Sequence, residues 1–212
     1  MSTEKARIAS ALHQAADLLI AHENTPESLD SARELIEEAN AMLVQGPVRS
    51  IEDRGIQFAS HMVAEYGAIV PEEGEEFVAF DASPYSGAAN ALRPRSIIYR
   101  RVGNEVHADV LLGIALEGFP GRAHGGATAA VFDDIMGSIQ RVVNLYGFTR
   151  TLEVTYRAPL PTNETVLFRC WLTESTDRTF TVLGEAVHDD VTVATAVGVF
   201  TSFSLDRFVG ES

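Results

Sequence analysis

The chain has 212 residues, 46% of them hydrophobic, enough for one well-formed core with an appendage. Its net charge of −14, with only 16 Lys and Arg, excludes the basic surface that nucleic-acid binding requires, so an anionic ligand has to be met by cations placed locally. The single cysteine, Cys170, excludes an intrachain disulfide. No signal-like apolar run follows the early charges, and nowhere do about 18 uninterrupted apolar residues occur, so the expectation is a soluble, cytoplasmic protein without a membrane span.

Two amphipathic helices are predicted first. Residues 3 to 22 set Ile8, Leu12, Ala15, Ala16 and Leu19 at helical spacing, and residues 27 to 44 repeat this with Leu29, Ala32, Leu35, Ile36, Ala39 and Leu43. Pro26 after Thr25 suits the opening of the second helix, and Gly46-Pro47 stops it. Residues 1–46 therefore read as an N-terminal helical extension. Periodicity is lost over 47–94, around EEGEE (72–76) and SPYSGAANALRPR (83–95), which reads as a linker that wraps the rest.

From residue 95 to about 208 the pattern is alternation. A short strand over 96–101 precedes one carrying Val106, Ala108, Val110, Leu112 and Ile114 on one face. Leu152, Val154 and Tyr156 share a face in the next, Val166, Phe168, Cys170 and Leu172 in a third, Phe180 and Val182 in a fourth, and Val191, Val193, Val197 and Val199 in a fifth. Turn residues separate the runs at 103–104 (GN), 161–164 (PTNE), 175–178 (STDR) and 188–190 (HDD), and links this short imply antiparallel neighbours. Residues 126–145 interrupt the alternation as a helix with Val131, Ile135, Ile139 and Val142 on one face. The expected architecture is α+β: five or six antiparallel strands wrapped around one central helix.

The opposite face of that helix is small apart from its acid: Gly126, Ala129, Ala130, Asp133, Gly137 and Gln140. Such a floor, with Gly126, Ala130 and Gly137 on it, admits a thin ligand or a second backbone. Asp133 has no Lys or Arg three or four positions away, so as an unpaired carboxylate among Ala and Gly it suits a base; solvation on an ordinary helix surface is the plain alternative. Its neighbour Asp134 is turned by about 100° toward Ala127, Ser138 and Arg141, an ordinary surface. Ahead of the helix, the HGG triplet (124–126) leaves backbone N–H groups unpaired at the positive end of the helix dipole, where an oxyanion can be held. His124 can serve there as a base or as a cap. A tight turn before a helix explains the triplet equally well when taken alone.

The run HGGATAAVFDDIMG (124–137) followed by TRTLEVTYRAP (149–159) resembles the hotdog-fold thioesterases, the acyl-CoA hydrolases of the phenylacetic-acid degradation type and their vertebrate thioesterase-superfamily relatives. The resemblance covers roughly residues 96–205. It implies that Asp133 activates water or attacks the thioester carbon itself, that Gly125 donates its N–H to the thioester oxygen, and that Thr149 helps to position the attacking water, with Thr151 as a substitute on the same strand face. It also implies an acyl-CoA substrate and a homodimer or dimer of dimers whose sites are shared between subunits. Where some relatives carry Asn or Gln near the carbonyl, EGFPG (117–121) stands here.

No cofactor or metal is expected. The six histidines are scattered, no His/Cys pair has zinc spacing, and neither a G-x-S-x-G elbow nor a phosphate-cradling G-x-x-x-x-G-K is present. Arg122, Arg150 and Arg157 are the candidate cations for the phosphates of coenzyme A, and Phe132, Met136 and Phe148 the candidate pocket walls. Two other readings stand: a hotdog hydratase or dehydratase, which needs a histidine working with an acid, and a non-catalytic acyl-thioester binding or assembly module.

Overall fold

The computed structural model describes residues 3–48, 50, 70–77 and 83–204. Much of the predicted wrapping segment, residues 49, 51–69 and 78–82, lies outside the described residues, as do 205–208 at the end of the predicted sheet domain.

The chain opens with helices α1 (Thr3–Ala21) and α2 (Pro26–Leu43), the second capped by the Thr25 hydroxyl, which accepts from Ser28 N–H at 3.3 Å. Strands β1 (Glu76–Phe77), β2 (Ser96–Val102) and β3 (Glu105–Leu111) follow, then a 3₁₀ turn (Ile114–Leu116) and a small hairpin of β4 (Glu117–Phe119) and β5 (Arg122–Ala123). Helices α3 (Gly125–Ser138) and α4 (Gln140–Val143) come next, and then β6 (Gly147–Tyr156), β7 (Thr165–Ser175), β8 (Thr179–His188) and β9 (Val191–Ser202). The main sheet has seven antiparallel strands in the order β1-β2-β3-β7-β8-β9-β6, the two-residue β1 from the predicted linker adding one to the six expected. It wraps α3, whose Val131, Phe132, Ile135 and Met136 are fully buried against it, as is Ile139 just after the helix. This is the hotdog arrangement.

The turns at 103–104, 175–178 and 188–190 join neighbouring strands as expected. The link after β6 does not: the chain leaves β6 at one edge of the sheet and re-enters at β7, between β3 and β8. The predicted strand through Ile114 also ends early, at Leu111, and Ile114 opens the 3₁₀ turn instead. The central helix is shorter than the predicted 126–145. It breaks at Ile139, resumes for one turn and stops at Asn144, which takes a left-handed φ of 54°.

Two β-bulges reset which side chains face α3. In β9, Ala194, Ala196 and Phe200 are buried, and of the predicted valines Val193 is buried with them whereas Val191 and Val197 are exposed, so the predicted valine face is the inner one only at Val193. The helix lies too close for valines. A Cβ built on Gly198 would stand 3.0 Å from Met136 Cε, and one on Gly184 would stand 3.2 Å from Phe132 Cδ1. Phe132 and Met136 are therefore core residues rather than pocket walls, and exposed Phe148 stacks on Phe203 with ring centroids 4.6 Å apart. Gln140, predicted on the open small face, is buried and accepts the Gly147 N–H at 2.7 Å. Cys170 is buried as plain strand packing requires, and burial pushes its thiol pKa well up.

The N-terminal helices depart from their predicted amphipathicity. α1 exposes Ile8, Leu12 and Leu19 and turns Ala9 and Asp17 inward; α2 has no buried residue at all.

Candidate active site

Asp133 and Asp134 leave α3 about 100° apart, and the sheet order gives them different neighbours. Asp133 is exposed beside the β6 edge, where its Oδ1 accepts from the Thr149 hydroxyl at 2.8 Å. Its Oδ2 has no hydrogen bond among the described residues. Asp134 is partly buried and points to the other side: Ser83 Oγ donates to Oδ1, and the Tyr99 hydroxyl donates to Oδ2 at 2.5 Å. Burial raises the Asp134 pKa, against the pull of Ser83 and Tyr99. The sequence-based expectation for the pair is therefore inverted in this respect: Asp134, not Asp133, is the desolvated acid, and both of its oxygens are committed to holding the 83–86 turn and β2 on the helix. Ser83 Oγ accepts in turn from Tyr85 N–H at 3.0 Å and Ser86 N–H at 3.2 Å.

At the start of α3 the His124 side chain is the cap, with Nδ1 accepting the Gly126 N–H at 3.0 Å. That contact favours the capping alternative for His124 over the base. The Gly125 N–H lies in the first turn and has no helical acceptor. The Gly125 carbonyl accepts from the Tyr156 hydroxyl at 2.6 Å, a contact that sequence reasoning missed because Tyr156 reads there only as the third member of an alternating face. Both ends of the helix face are thus tied to one strand: Asp133 to Thr149 near the start of β6, and Gly125 to Tyr156 at its end.

The second β-bulge decides between the two threonines. Thr149 pairs with Phe200 and Thr151 with Val199, so Arg150 is the extra residue and alternation slips by one. Phe200 faces the core, and Thr149 with it; Thr151 is on the outer face, not the same face as expected, and points away from α3. Of the small residues, Ala130 and Gly137 are half-buried, and a Cβ on Gly137 would meet nothing within 4 Å, which is open floor. Gly126 is exposed, and a Cβ there would come within 3.1 Å of His124 Nδ1.

A groove of about 450 Å³ runs along the helix start, lined by Phe119, Arg122, Gly125, Thr128, Tyr156 and Arg157 among others. Two of the three candidate cations, Arg122 and Arg157, line it; Arg150 sits at the bulge instead. In the EGFPG stretch, Glu117 accepts from the Thr162 hydroxyl at 2.5 Å, so its carboxylate braces the β6–β7 link.

Residues 120–195 match the sequence profile of the thioesterase superfamily. A thioesterase superfamily protein of known crystal structure superposes with a TM-score of 0.74 at 23% identity, over 93% of this chain and 90% of its own, so its similarity extends through the N-terminal helices. Other similar structures cover about half of the chain: a hypothetical thioesterase protein from Streptococcus pneumoniae TIGR4 with coenzyme A (14% identity, 51% of this chain and 87% of its own, TM-score 0.49) and a phenylacetic acid degradation-related protein from Ralstonia eutropha JMP134 (21%, 50% and 83%, TM-score 0.44). No curated protein matches the chain in sequence. Among the described residues no helix is long and apolar enough to cross a membrane. The chain has the hotdog fold, and its segment 120–195, which carries Gly125, Asp133, Thr149 and Tyr156, matches the thioesterase superfamily.

Proposed function

We propose that the protein hydrolyses acyl-CoA thioesters to free acid and coenzyme A, as a dimer or dimer of dimers in which each site is shared by two protomers. The separation of the two working groups carries this reading. Gly125 and Asp133 belong to the same helix, and eight residues at 1.5 Å each set them about 12 Å apart along its axis. One thioester carbonyl cannot meet both within a single chain.

A second protomer resolves this. β6 is a ten-residue strand at the open edge of the sheet, the kind of edge that recruits another strand. Antiparallel pairing of β6 with its copy, about a two-fold axis through Glu153, sets Thr149 of one protomer opposite Tyr156 of the other, because with Arg150 bulged out both lie three pair positions from Glu153. Asp133 travels with Thr149 and Gly125 with Tyr156, so the carboxylate of one chain meets the N–H of its partner, twice per dimer.

The chemistry then needs neither metal nor serine. Thr149 holds Oδ1 of Asp133, leaving Oδ2 to take a proton from water as that water attacks the thioester carbon, or to attack the carbon directly. The carbonyl oxygen gains negative charge against the Gly125 N–H at the positive end of α3. The C–S bond breaks and the thiolate takes up a proton; on the water route the free acid departs at once, and on the direct route water first cleaves the acyl–Asp133 anhydride to release it. Arg122 and Arg157 in the groove offer charge to the coenzyme A phosphates. A hydratase lacks its histidine here, since Nδ1 of His124 is occupied by the cap.

Thiol release from a panel of acyl-CoA substrates of increasing chain length tests the reading. Asp133→Asn should lower kcat by about 10²-fold or more with KM little changed. Absence of thiol release by the wild-type protein, or full turnover by Asp133→Asn, leaves the non-catalytic binder as the better account.

A further inference from the structure

We propose that the cleft between α1 and residues 93–95 is a second ligand site, which binds the phosphate of a small phosphorylated molecule. The orientation of α1 motivates it. A helix packed on its own protein normally buries its apolar stripe, yet α1 leaves Ile8 and Leu12 about half exposed, at 44% and 46%, and buries Asp17 with His13 half-buried beside it. Ser10, His13, Gln14 and Asp17 recur three and four apart, and together with Arg93 and Arg95 they line a cleft of about 430 Å³.

Asp17 is the wall of this site rather than its ligand-binding group. Its Oδ1 accepts the Ala115 N–H at 3.0 Å, and its Oδ2 accepts from Arg95 Nη2 at 2.6 Å and Nε at 3.2 Å. Gly113 makes room for it: a Cβ there would lie 2.6 Å from Asp17 Oδ1. Burial opposes ionisation of Asp17, but the Ala115 N–H and Arg95 outweigh it and hold the carboxyl below its usual range. The carboxylate is thereby saturated, and Arg95 is held at the cleft with Nη1 uncommitted among the described residues.

What remains in the cleft is donors. Arg93 has no ion pair among the described residues, so two guanidiniums face one carboxylate in a chain whose net charge is −14. His13 Nε2 is buried without a hydrogen bond, 3.5 Å from Asp17 Oδ2. The ring is thus turned to the Asp17 carboxylate at ion-pair distance and adds to the donor wall of the cleft. Ser10 and Gln14 add neutral donors at the mouth. Donors converging from two elements suit the tetrahedral oxygens of a phosphate, with the Arg93 fork able to take two of them. The volume exceeds that of a bare ion, and Leu18 offers an apolar flank for the organic part.

The phosphate can come from the nucleotide end of coenzyme A or from a separate phosphate ester. Isothermal titration of the full chain with inorganic phosphate, ribose 5-phosphate and adenosine 3′,5′-bisphosphate tests the site without depending on turnover, so it stands or falls apart from the hydrolase reading. Arg93→Gln should weaken binding at least about tenfold, as expected for loss of a charge-assisted hydrogen bond, and Ser10→Ala less. Arg33→Gln on α2 removes the same charge elsewhere and should change nothing. Circular dichroism reports folding of each variant. A preference of about tenfold for the adenosine bisphosphate assigns the phosphate to coenzyme A, and equal binding assigns it to a separate ester; either supports the site. No binding of any probe to the wild-type protein, or undiminished binding in Arg93→Gln, overturns it.

Discussion

The shared site predicts a complementation that no single-chain site can produce. The first variant is Asp133→Asn. The second is Gly125→Pro, which removes the N–H proposed to hold the oxyanion and does little else: Gly125 is the first helical residue, where proline is favoured, and His124 before it already has the extended backbone that proline demands (φ −63°, ψ 136°). The Cβ at 125 would stand 3.3 Å from the Tyr156 hydroxyl, a contact that a small shift of the tyrosine tip relieves. Alone, each variant should lose about 10²-fold or more in kcat, one for want of the base and the other of the oxyanion donor. When equal amounts are unfolded together and refolded, half of the dimers are mixed. In each mixed dimer one site receives both damaged groups and the other receives both intact ones. Thiol release should therefore recover to about a quarter of the wild-type rate. If mixed dimers are demonstrated by differential tagging and the rate stays at the mean of the two parents, Asp133 and Gly125 do not act across an interface and the shared-site reading fails.

Thr149→Ala removes the hydrogen bond that orients Asp133 but not the base itself, so its kcat should fall between those of wild type and Asp133→Asn in the same thiol assay. Asp134→Ala strips an acceptor from the buried hydroxyls of Tyr99 and Ser83, costing about 3 kcal/mol; thermal unfolding should show a Tm lower by about 6–12 °C, and an unchanged Tm would mean the network is dispensable. Because the folded Asp134 pKa lies above the ordinary value of 3.8, the fold favours its protonated form. Its contribution should be most favourable below 3.8 and decline as pH rises toward the folded pKa, so the stability of wild type relative to Asp134→Asn should fall over that window in denaturant titrations. Gly113→Ala drives a methyl against Asp17 Oδ1, and α1 should become more open to limited proteolysis while the sheet domain stays folded.

Local pattern determined a good deal by itself. Period-two alternation identified the inner faces of β3, β7 and β8, because a strand has only two faces and one of them is buried. The GN, STDR and HDD turns identified three hairpins, and the four buried apolar positions from Val131 to Val142 located the central helix. The HGG triplet and the unpaired Asp133 brought part of the candidate site into view, and Thr149 joined it through the resemblance to the hotdog thioesterases. Tertiary structure decided what periodicity cannot express. Spacing states which residues share a face but not what that face meets, so α1 could turn Asp17 inward because it finds Arg95 and the Ala115 N–H there. A bulge at Arg150 put Thr149 and Thr151 on opposite faces, and another gave the inner face of β9 to Ala194 and Ala196, since one extra residue reverses all alternation beyond it. Two adjacent acids on one helix are alike until the sheet order sets an open strand edge beside Asp133 and the Ser83 and Tyr99 hydroxyls beside Asp134. Those neighbours are remote in sequence, which is why only the folded chain tells the acids apart.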